Sequence, residues 1–297
     1  MAKLRLLDSK GLGLVARMEL IARHAVEGFL SGLHPSPYFG SSVEYADHRP
    51  YTLGDDLRTI DWKLLAKTDK YYVKLFEEQT NTRGTIILDI SRSMTFGPEG
   101  KMNKLTYGMY LAAALSYLMF RQNDAVGLAM FDSKVRHYLP ARSTASHWRN
   151  LVQTMEAVEP GDDTDIAGAL HELAGRIPRR GIVMLITDML GDVDAIMQSL
   201  GHFKYDRHDV IVFHLMDRAE RSFPYDKLTR FRDIEGGGTV IANPHSVKRA
   251  YLQRLNDFLD RIRRTCLERD ISYELCMTDQ RYDQMLSAYL SRRNRMM

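Results

Sequence analysis

Five oxygen-bearing side chains, widely separated along the sequence, have the chemistry of a small-cation site. An Asp-x-Ser-x-Ser pattern supplies Asp89, Ser91 and Ser93, and Thr164 and Asp188 follow further along the chain. The set contains neither histidine nor cysteine. Hard cations such as Mg²⁺ or Mn²⁺ prefer oxygen ligands, whereas zinc and copper sites usually include nitrogen or sulfur. We therefore predict that these five residues bind Mg²⁺ (or Mn²⁺), and we assign no catalytic residue.

Hydroxyl groups are weak, neutral ligands, so a cation held largely by them keeps much of its positive charge. An open coordination position on such a cation would attract a carboxylate from another molecule. The composition of the set therefore favours adhesion over hydrolysis. A simpler interpretation also remains open: serine, threonine and aspartate often cap loops and helices, because their side chains bond free backbone N–H groups.

The elements that must position these side chains can be read from hydrophobic patterns. Short apolar runs predict strands at 85–88, 125–131, 135–139, 182–186, 210–215 and 272–277, and segments with helical periodicity lie between most of them. This alternation predicts an α/β fold with an open, mostly parallel sheet that is buried on both faces. Ligands of such sheets bind beyond the carboxyl ends of the strands. Asp89 and Asp188 follow two of these strands, so both are predicted at that edge.

Three individual elements are also predicted. Apolar residues spaced three or four apart from Leu14 to Phe29 predict an amphipathic helix that ends near Gly32 and packs on the protein's own core. Lys104–Arg121 contains the longest uncharged run and is predicted to be a helix buried on most sides. Thr229–Ile234 and Thr239–Ala242 flank three glycines, which predicts a hairpin.

Composition excludes several classes of protein. The 297 residues include 41 Lys and Arg against 38 Asp and Glu, a formal net charge of +3, which is too weak a bias to indicate a nucleic-acid partner. Two cysteines, Cys266 and Cys276, are too few for a disulfide framework or a structural zinc site. No export signal or run long enough for a membrane span is visible. We therefore expect a cytoplasmic protein.

The motif residues, taken together, resemble a known adhesion site. Asp89, Ser91, Ser93, Thr164 and Asp188 occupy all five positions of the metal-ion-dependent adhesion site (MIDAS) of von Willebrand factor A domains. Upstream, Gly54–Trp62 and Tyr72–Lys74 resemble a segment of the bacterial family known as domain of unknown function fifty-eight, whose members place it before an A-type domain. The resemblance runs from about Gly40 to the C-terminus.

The resemblance implies a fold, a division of the chain and a partner. The fold is a von Willebrand factor A-like open sheet with helices on both faces, preceded by a small N-terminal helix and strand segment. The segment would span residues 1–82, packed on an A-like domain at 83–297. The function implied is a non-enzymatic protein-interaction module that acts with a MoxR-type AAA+ ATPase, or its client, in chaperone-like maturation.

The charged block at residues 54–62 allows two interpretations. Its acids Asp55, Asp56 and Asp61 suggest acid–base chemistry, but such catalysis needs groups tuned by burial and held near a substrate. We favour a structural or partner-contact role, in which Arg58 pairs with one of these acids and Trp62 packs.

Two other functions remain alternatives. A divalent ion on oxygen ligands can also activate water, so a metal-dependent hydrolase of phosphate esters is the main alternative to an adhesion module. RNA binding through an A-type domain rests only on the slight positive balance. We expect no nucleic-acid partner and no membrane span.

Overall fold

The computed structural model describes residues 14–32, 48–51, 62–68, 70–74, 82–97, 102–161, 164–232, 238–282, 284–287 and 289–290. The strands are β1 (His48–Pro50), β2 (Tyr72–Lys74), β3 (Arg83–Asp89), β4 (Ala125–Phe131), β5 (Val135–Arg142), β6 (Gly181–Thr187), β7 (His208–Met216), β8 (Thr229–Arg232), β9 (Thr239–Ala242) and β10 (Ser272–Met277). The helices are α1 (Leu14–Gly32), α2 (Trp62–Thr68), α3 (Lys104–Arg121), α4 (Ala145–Glu156), α5 (Ile166–Arg176), α6 (Val193–Tyr205), α7 (Arg218–Ser222) and α8 (Pro244–Glu268). A 3₁₀ helix covers Arg92–Thr95.

Six strands form the main sheet in the order β10-β7-β6-β3-β4-β5. Every neighbouring pair is parallel except β4 and β5. After β3, the chain adds β4 and β5 on one side and then β6, β7 and β10 on the other. The direction of strand addition therefore reverses between β3 and β6, and doubly wound sheets bind their ligands at such a reversal. The predicted open, mostly parallel sheet is confirmed.

Each central strand contributes to two cores, because successive side chains of a strand point to opposite faces. Ile86 and Leu88 belong to a core that includes buried residues of α1, α3 and α4. Ile87 belongs to a second core that includes buried residues of α5 and α6. Helices therefore cover both faces of the sheet, as predicted.

Helix α1 packs into the first of these cores. Met18, Ala22, Val26 and Phe29 follow one another at helical spacing, and all four are buried. The predicted packing of this helix on the protein's own core is confirmed.

The chain divides into two compact units, and the predicted division into residues 1–82 and 83–297 stays a prediction. The units are residues 1–31 with 81–297 and residues 32–80. The sheet and α1 thus share a unit, because contacts distant in sequence decide where α1 packs. In the other unit, β1 and β2 pair antiparallel, and the Tyr51 N–H donates to the Tyr71 carbonyl at 2.9 Å.

Helix α3 is buried along most of its length, as predicted, with 14 of its 18 residues buried. Gly108 allows the helix to approach the sheet closely, because a Cβ there would lie 3.1 Å from methyl groups of Leu88 and Leu215. Within the described parts of the chain, no helix combines the length and apolar character that crossing a membrane requires. The two strands of the predicted hairpin pair antiparallel as β8 and β9, and residues 233–237 between them lie outside the described residues.

Candidate metal centre at the carboxyl edge of the sheet

Asp89 and Asp188 lie at the carboxyl ends of two neighbouring strands. Asp89 is the last residue of β3, and Asp188 directly follows β6, which pairs with β3 through Leu88 and Ile186. Both carboxylates are buried, with 0% and 2% of their residue surface exposed. The Thr187 hydroxyl joins the two strand ends by donating to Asp89 Oδ2 at 2.7 Å. The two acids therefore meet where the direction of strand addition reverses.

Ser91 and Ser93 lie beside Asp89 because the chain turns into the 3₁₀ helix immediately after β3. The Ser91 N–H donates to Asp89 Oδ1 at 2.9 Å. The Ser91 and Ser93 hydroxyl oxygens are 3.1 Å apart, and both residues are buried. The Asp-x-Ser-x-Ser pattern thus forms a compact cluster of one carboxylate and two hydroxyls.

The loop that carries Thr164 is fixed to the same edge of the sheet. The Gly161 N–H donates to the Ile90 carbonyl at 2.8 Å, and the Asp165 N–H donates to the Asp132 carbonyl at 3.2 Å. Thr164 is half-buried and lies between these two anchors.

Gly161 is needed for the close approach of this loop, because a Cβ there would overlap the Asp132 carboxylate. Asp165 then caps the N-terminus of α5 by accepting from the Gly168 N–H at 2.8 Å.

Sequence reasoning missed a buried lysine at this site. Lys104 begins α3, has 1% of its side chain exposed, and donates from Nζ to Asp188 Oδ2 at 2.8 Å and to Glu220 Oε1 at 2.9 Å. The other Asp188 oxygen accepts from the Leu190 N–H at 3.2 Å. The available sequence signal was a lysine at the start of an otherwise uncharged buried helix, with no indication of its partner.

Burial and charge repulsion dominate the electrostatics of the cluster. Burial, together with the nearby Asp188 carboxylate, raises the pKa of Asp89 from 3.8 to about 7. Burial also lowers the pKa of Lys104, but the Asp188 and Glu220 carboxylates outweigh it, so the pKa lies above its ordinary value. Burial lowers the pKa of the adjacent His214 to about 4, so this imidazole is neutral at pH 7. Lys104 is therefore the cation that Asp188 contacts.

The donor set fits a small, hard cation. Adjacent ligands of an octahedral ion with bonds of 2.0–2.1 Å are separated by about 2.8–3.0 Å, close to the distance between the Ser91 and Ser93 oxygens. Within the described residues, no three His, Cys, Asp or Glu side chains group as a metal site. A cation here would depend on hydroxyls and water beside the two aspartates, which suits Mg²⁺ or Mn²⁺ and not zinc.

The second predicted cluster falls largely outside the described residues. Asp55, Asp56, Arg58 and Asp61 lie there. Trp62 begins α2, and 60% of its surface is exposed. The structural or partner-contact role predicted for this block stays a prediction.

Comparisons with known proteins relate the chain to uncharacterised bacterial proteins and to A-type folds. An uncharacterized protein of Mycobacterium tuberculosis is 26% identical over 233 residues, which cover 77% of this chain and 73% of the relative. An aerotolerance-related membrane protein from Bacteroides fragilis is 19% identical and covers 72% of this chain and 99% of its own, with a TM-score of 0.45. The VWA domain of SpRpn10 is 9% identical and covers 70% and 94%, with a TM-score of 0.40. Neither structural similarity is close enough to indicate a function for this chain.

A family model gives the firmest relationship. The model described as a protein of unknown function, DUF58, matches residues 47–257, which is more than half of the chain. The match begins before the charged block at residues 54–62 and continues through the strands that carry the candidate metal centre. The chain belongs to the DUF58 family.

Proposed function

We propose that this protein is a non-enzymatic interaction module that binds one Mg²⁺-like cation through Asp89, Ser91, Ser93, Thr164 and Asp188. The observation that carries the proposal is the meeting of two buried aspartates with two hydroxyl oxygens 3.1 Å apart at the reversal point of the sheet. Burial and, after it, the nearby Asp188 carboxylate disfavour the charged form of Asp89 and raise its pKa. A bound divalent cation would favour the charged form.

The five residues have different roles in the proposed site. Ser91 and Ser93 ligate the cation directly, and Thr164 joins when a partner is bound. Asp89 already accepts hydrogen bonds from Ser91 and Thr187, so it holds the serine loop in position and ligates directly or through water. Asp188 also ligates the cation directly or through water, and Lys104 neutralises part of its charge. Because the hydroxyls are neutral, the cation keeps the charge needed to bind a carboxylate of a partner protein.

The proposed partner is a MoxR-type AAA+ ATPase or its client, in chaperone-like maturation. Support for this partner comes from the family resemblance, and the chemistry of the site adds a requirement. The partner must present a carboxylate that can reach the open coordination position. A complex formed in this way depends on the divalent cation.

Cation binding is tested by calorimetric titration with Mg²⁺ and Mn²⁺. Asp89→Asn removes the charge but keeps an oxygen that can accept from the Ser91 N–H, and Ser91→Ala removes one proposed ligand. We expect the wild type to bind and both variants to lose at least about tenfold in affinity, because changing even a group that orients a metal ligand typically lowers metal affinity by about 10–100-fold. Asp194→Asn, an exposed acid on α6, is the matched control and should bind as the wild type does.

Partner binding is tested by co-purification with the MoxR-type ATPase of the same organism. We expect the complex to be lost on chelation with EDTA and in Asp89→Asn, and to be retained in Asp194→Asn. A complex that persists through both treatments would show that the interaction does not use the cation. Equal cation affinity in the wild type, Asp89→Asn and Ser91→Ala would contradict the metal site itself.

A further inference from the structure

A groove of about 470 Å³ lies at the amino-terminal edge of the main sheet, opposite the candidate metal centre. Three arginines line it: Arg83, Arg142 and Arg180. All three are exposed. A groove of this volume is within the range of small-molecule sites, which are about 300–1,000 Å³.

The strand topology brings the three arginines together from distant parts of the sequence. Arg83 is the first residue of β3, and Arg180 directly precedes β6, the neighbour of β3. Arg142 ends β5, but β5 runs antiparallel to β4, so its end returns to the edge where the parallel strands begin. The register confirms this, because Arg142 pairs with Val126 and Arg83 with Ala125.

The same reversal brings a helix N-terminus to the groove. Helix α4 follows β5, and its N-cap residue Thr144 lines the groove and accepts from the His147 N–H at 3.3 Å. The N-terminus of a helix carries a partial positive charge and free N–H groups. It therefore adds to the positive potential of the three guanidinium groups.

The three groove arginines form no ion pair with any acid in the part of the chain that the structure describes. Asp206, whose carbonyl accepts from the Arg180 N–H, pairs through its carboxylate with Arg179, which does not line the groove. His208, which also lines the groove, is 3% exposed. Within the same described residues, His208 Nδ1 has no hydrogen-bond partner. Unpaired buried polar atoms are uncommon in folded proteins and often mark a group that a ligand or water would satisfy.

We propose that this groove binds a small organic phosphate, of the size of a nucleoside diphosphate. Guanidinium groups match phosphate oxygens with two parallel hydrogen bonds and are the preferred side chains for phosphate recognition. Ile177 and Pro178 provide an apolar wall beside the arginines, which suits the organic body of such a ligand. The site is independent of the proposed cation centre, which lies at the other edge.

The test is calorimetric titration of the full-length protein with pyrophosphate, ADP and adenosine, in EDTA and at physiological salt. EDTA removes any cation from the candidate metal centre, so binding there cannot account for the result. We expect ADP and pyrophosphate to bind and adenosine not to bind. Arg83→Gln, Arg142→Gln and Arg180→Gln should each weaken binding at least about tenfold, because a hydrogen bond to a charged group contributes about 1.5–3 kcal/mol.

Two controls make the outcome decisive. Arg254→Gln changes an exposed arginine on α8, away from the groove, and should bind ADP as the wild type does. Thermal melts should show that all four variants are folded, since these arginines are exposed. Absence of ADP and pyrophosphate binding at millimolar concentration would overturn the proposal. So would binding that the three groove variants leave unchanged, or an acidic peptide that binds where neither phosphate does.

Discussion

The two edges of the main sheet hold their charges in opposite ways. At the carboxyl edge, Asp89, Asp188 and Lys104 are buried, and each has a hydrogen-bonded partner within the cluster. At the amino edge, Arg83 and Arg142 are exposed and have no acidic partner among the described residues. The charges of one edge are thus buried in contact with other groups of the cluster, and those of the other edge are exposed to solvent.

The difference follows from the cost of burying a charge. A buried ion must be paired or hydrogen-bonded, because the protein interior does not replace the solvation that water provides. An exposed arginine remains hydrated and needs no partner. The carboxyl edge therefore contributes to stability through its pairs, whereas the charge of the amino edge is available for a ligand.

The largest expected effect on stability comes from changing Lys104. Lys104→Met removes the only ammonium that contacts Asp188 and Glu220 in the described structure, which leaves two acids without it. Removing one partner of a buried pair typically costs about 3–5 kcal/mol. Urea unfolding should show a loss of this size in the free energy of unfolding. The double variant Lys104→Met/Asp188→Asn should recover part of it, since the stranded charge at Asp188 is then also removed.

Lys204→Met is the matched control for this experiment. Lys204 donates to Asp270 Oδ2 at 3.0 Å, but 69% of the Asp270 side chain is exposed. Exposed ion pairs contribute about 0–1 kcal/mol to the free energy of unfolding. A loss in Lys104→Met no larger than that in Lys204→Met would show that the carboxyl edge does not depend on its internal pairing.

A smaller effect is expected from pH at the amino edge. Burial lowers the pKa of His208 below its ordinary value of 6.5. Above pH 6.5 the imidazole is neutral in both states, whereas below it the unfolded chain takes up the proton first, so the stability falls as the pH falls. One proton limits this slope to about 1.4 kcal/mol per pH unit.

The pH effect is measured by urea unfolding between about pH 7 and about pH 5.5. His208→Gln, which cannot titrate, should lose less stability than the wild type over this range. His147 and His214, whose pKa values burial also lowers, add to this slope, whereas Asp89, whose pKa burial raises to about 7, opposes it, so the contribution of His208 is the difference between the two curves. Parallel curves for the two proteins would show that His208 is not responsible.

The smallest expected effect on stability is at the groove arginines. Arg142→Gln removes an exposed charge with no described ionic partner, so the free energy of unfolding should change by no more than about 0.5 kcal/mol. Urea unfolding at low and high salt measures the change. A loss of several kcal/mol would mean that Arg142 has a structural partner, and the contrast between the two edges would then fail.

Much of the fold could be predicted because each central strand is a continuous apolar run. The predicted strand at 272–277 coincides with β10, and the predicted strands at 125–131 and 182–186 lie within β4 and β6. Strands buried on both faces need apolar residues at successive positions. A short apolar run between polar turns therefore indicates such a strand. The packing of α1 on the sheet, by contrast, depends on contacts far along the chain.

The candidate site could be predicted only in part, because some of its contacts join residues that are far apart in the chain. Asp89 and Asp188 could be placed at one edge because each follows a strand. Lys104 was missed because nothing near it in the sequence reveals Asp188 or Glu220 as partners. The groove arginines were missed because Arg142 reaches the amino edge only through the reversed direction of β5.

The sequence by itself determined the strands, the helices and the oxygen chemistry available after β3 and β6, since local periodicity and residue type carry that information. The tertiary structure alone decided which strands are neighbours, which ammonium neutralises Asp188, and which arginines share a groove. These are contacts between residues far apart in the chain. They depend on the order and direction in which the strands assemble, and no local stretch of sequence encodes that order.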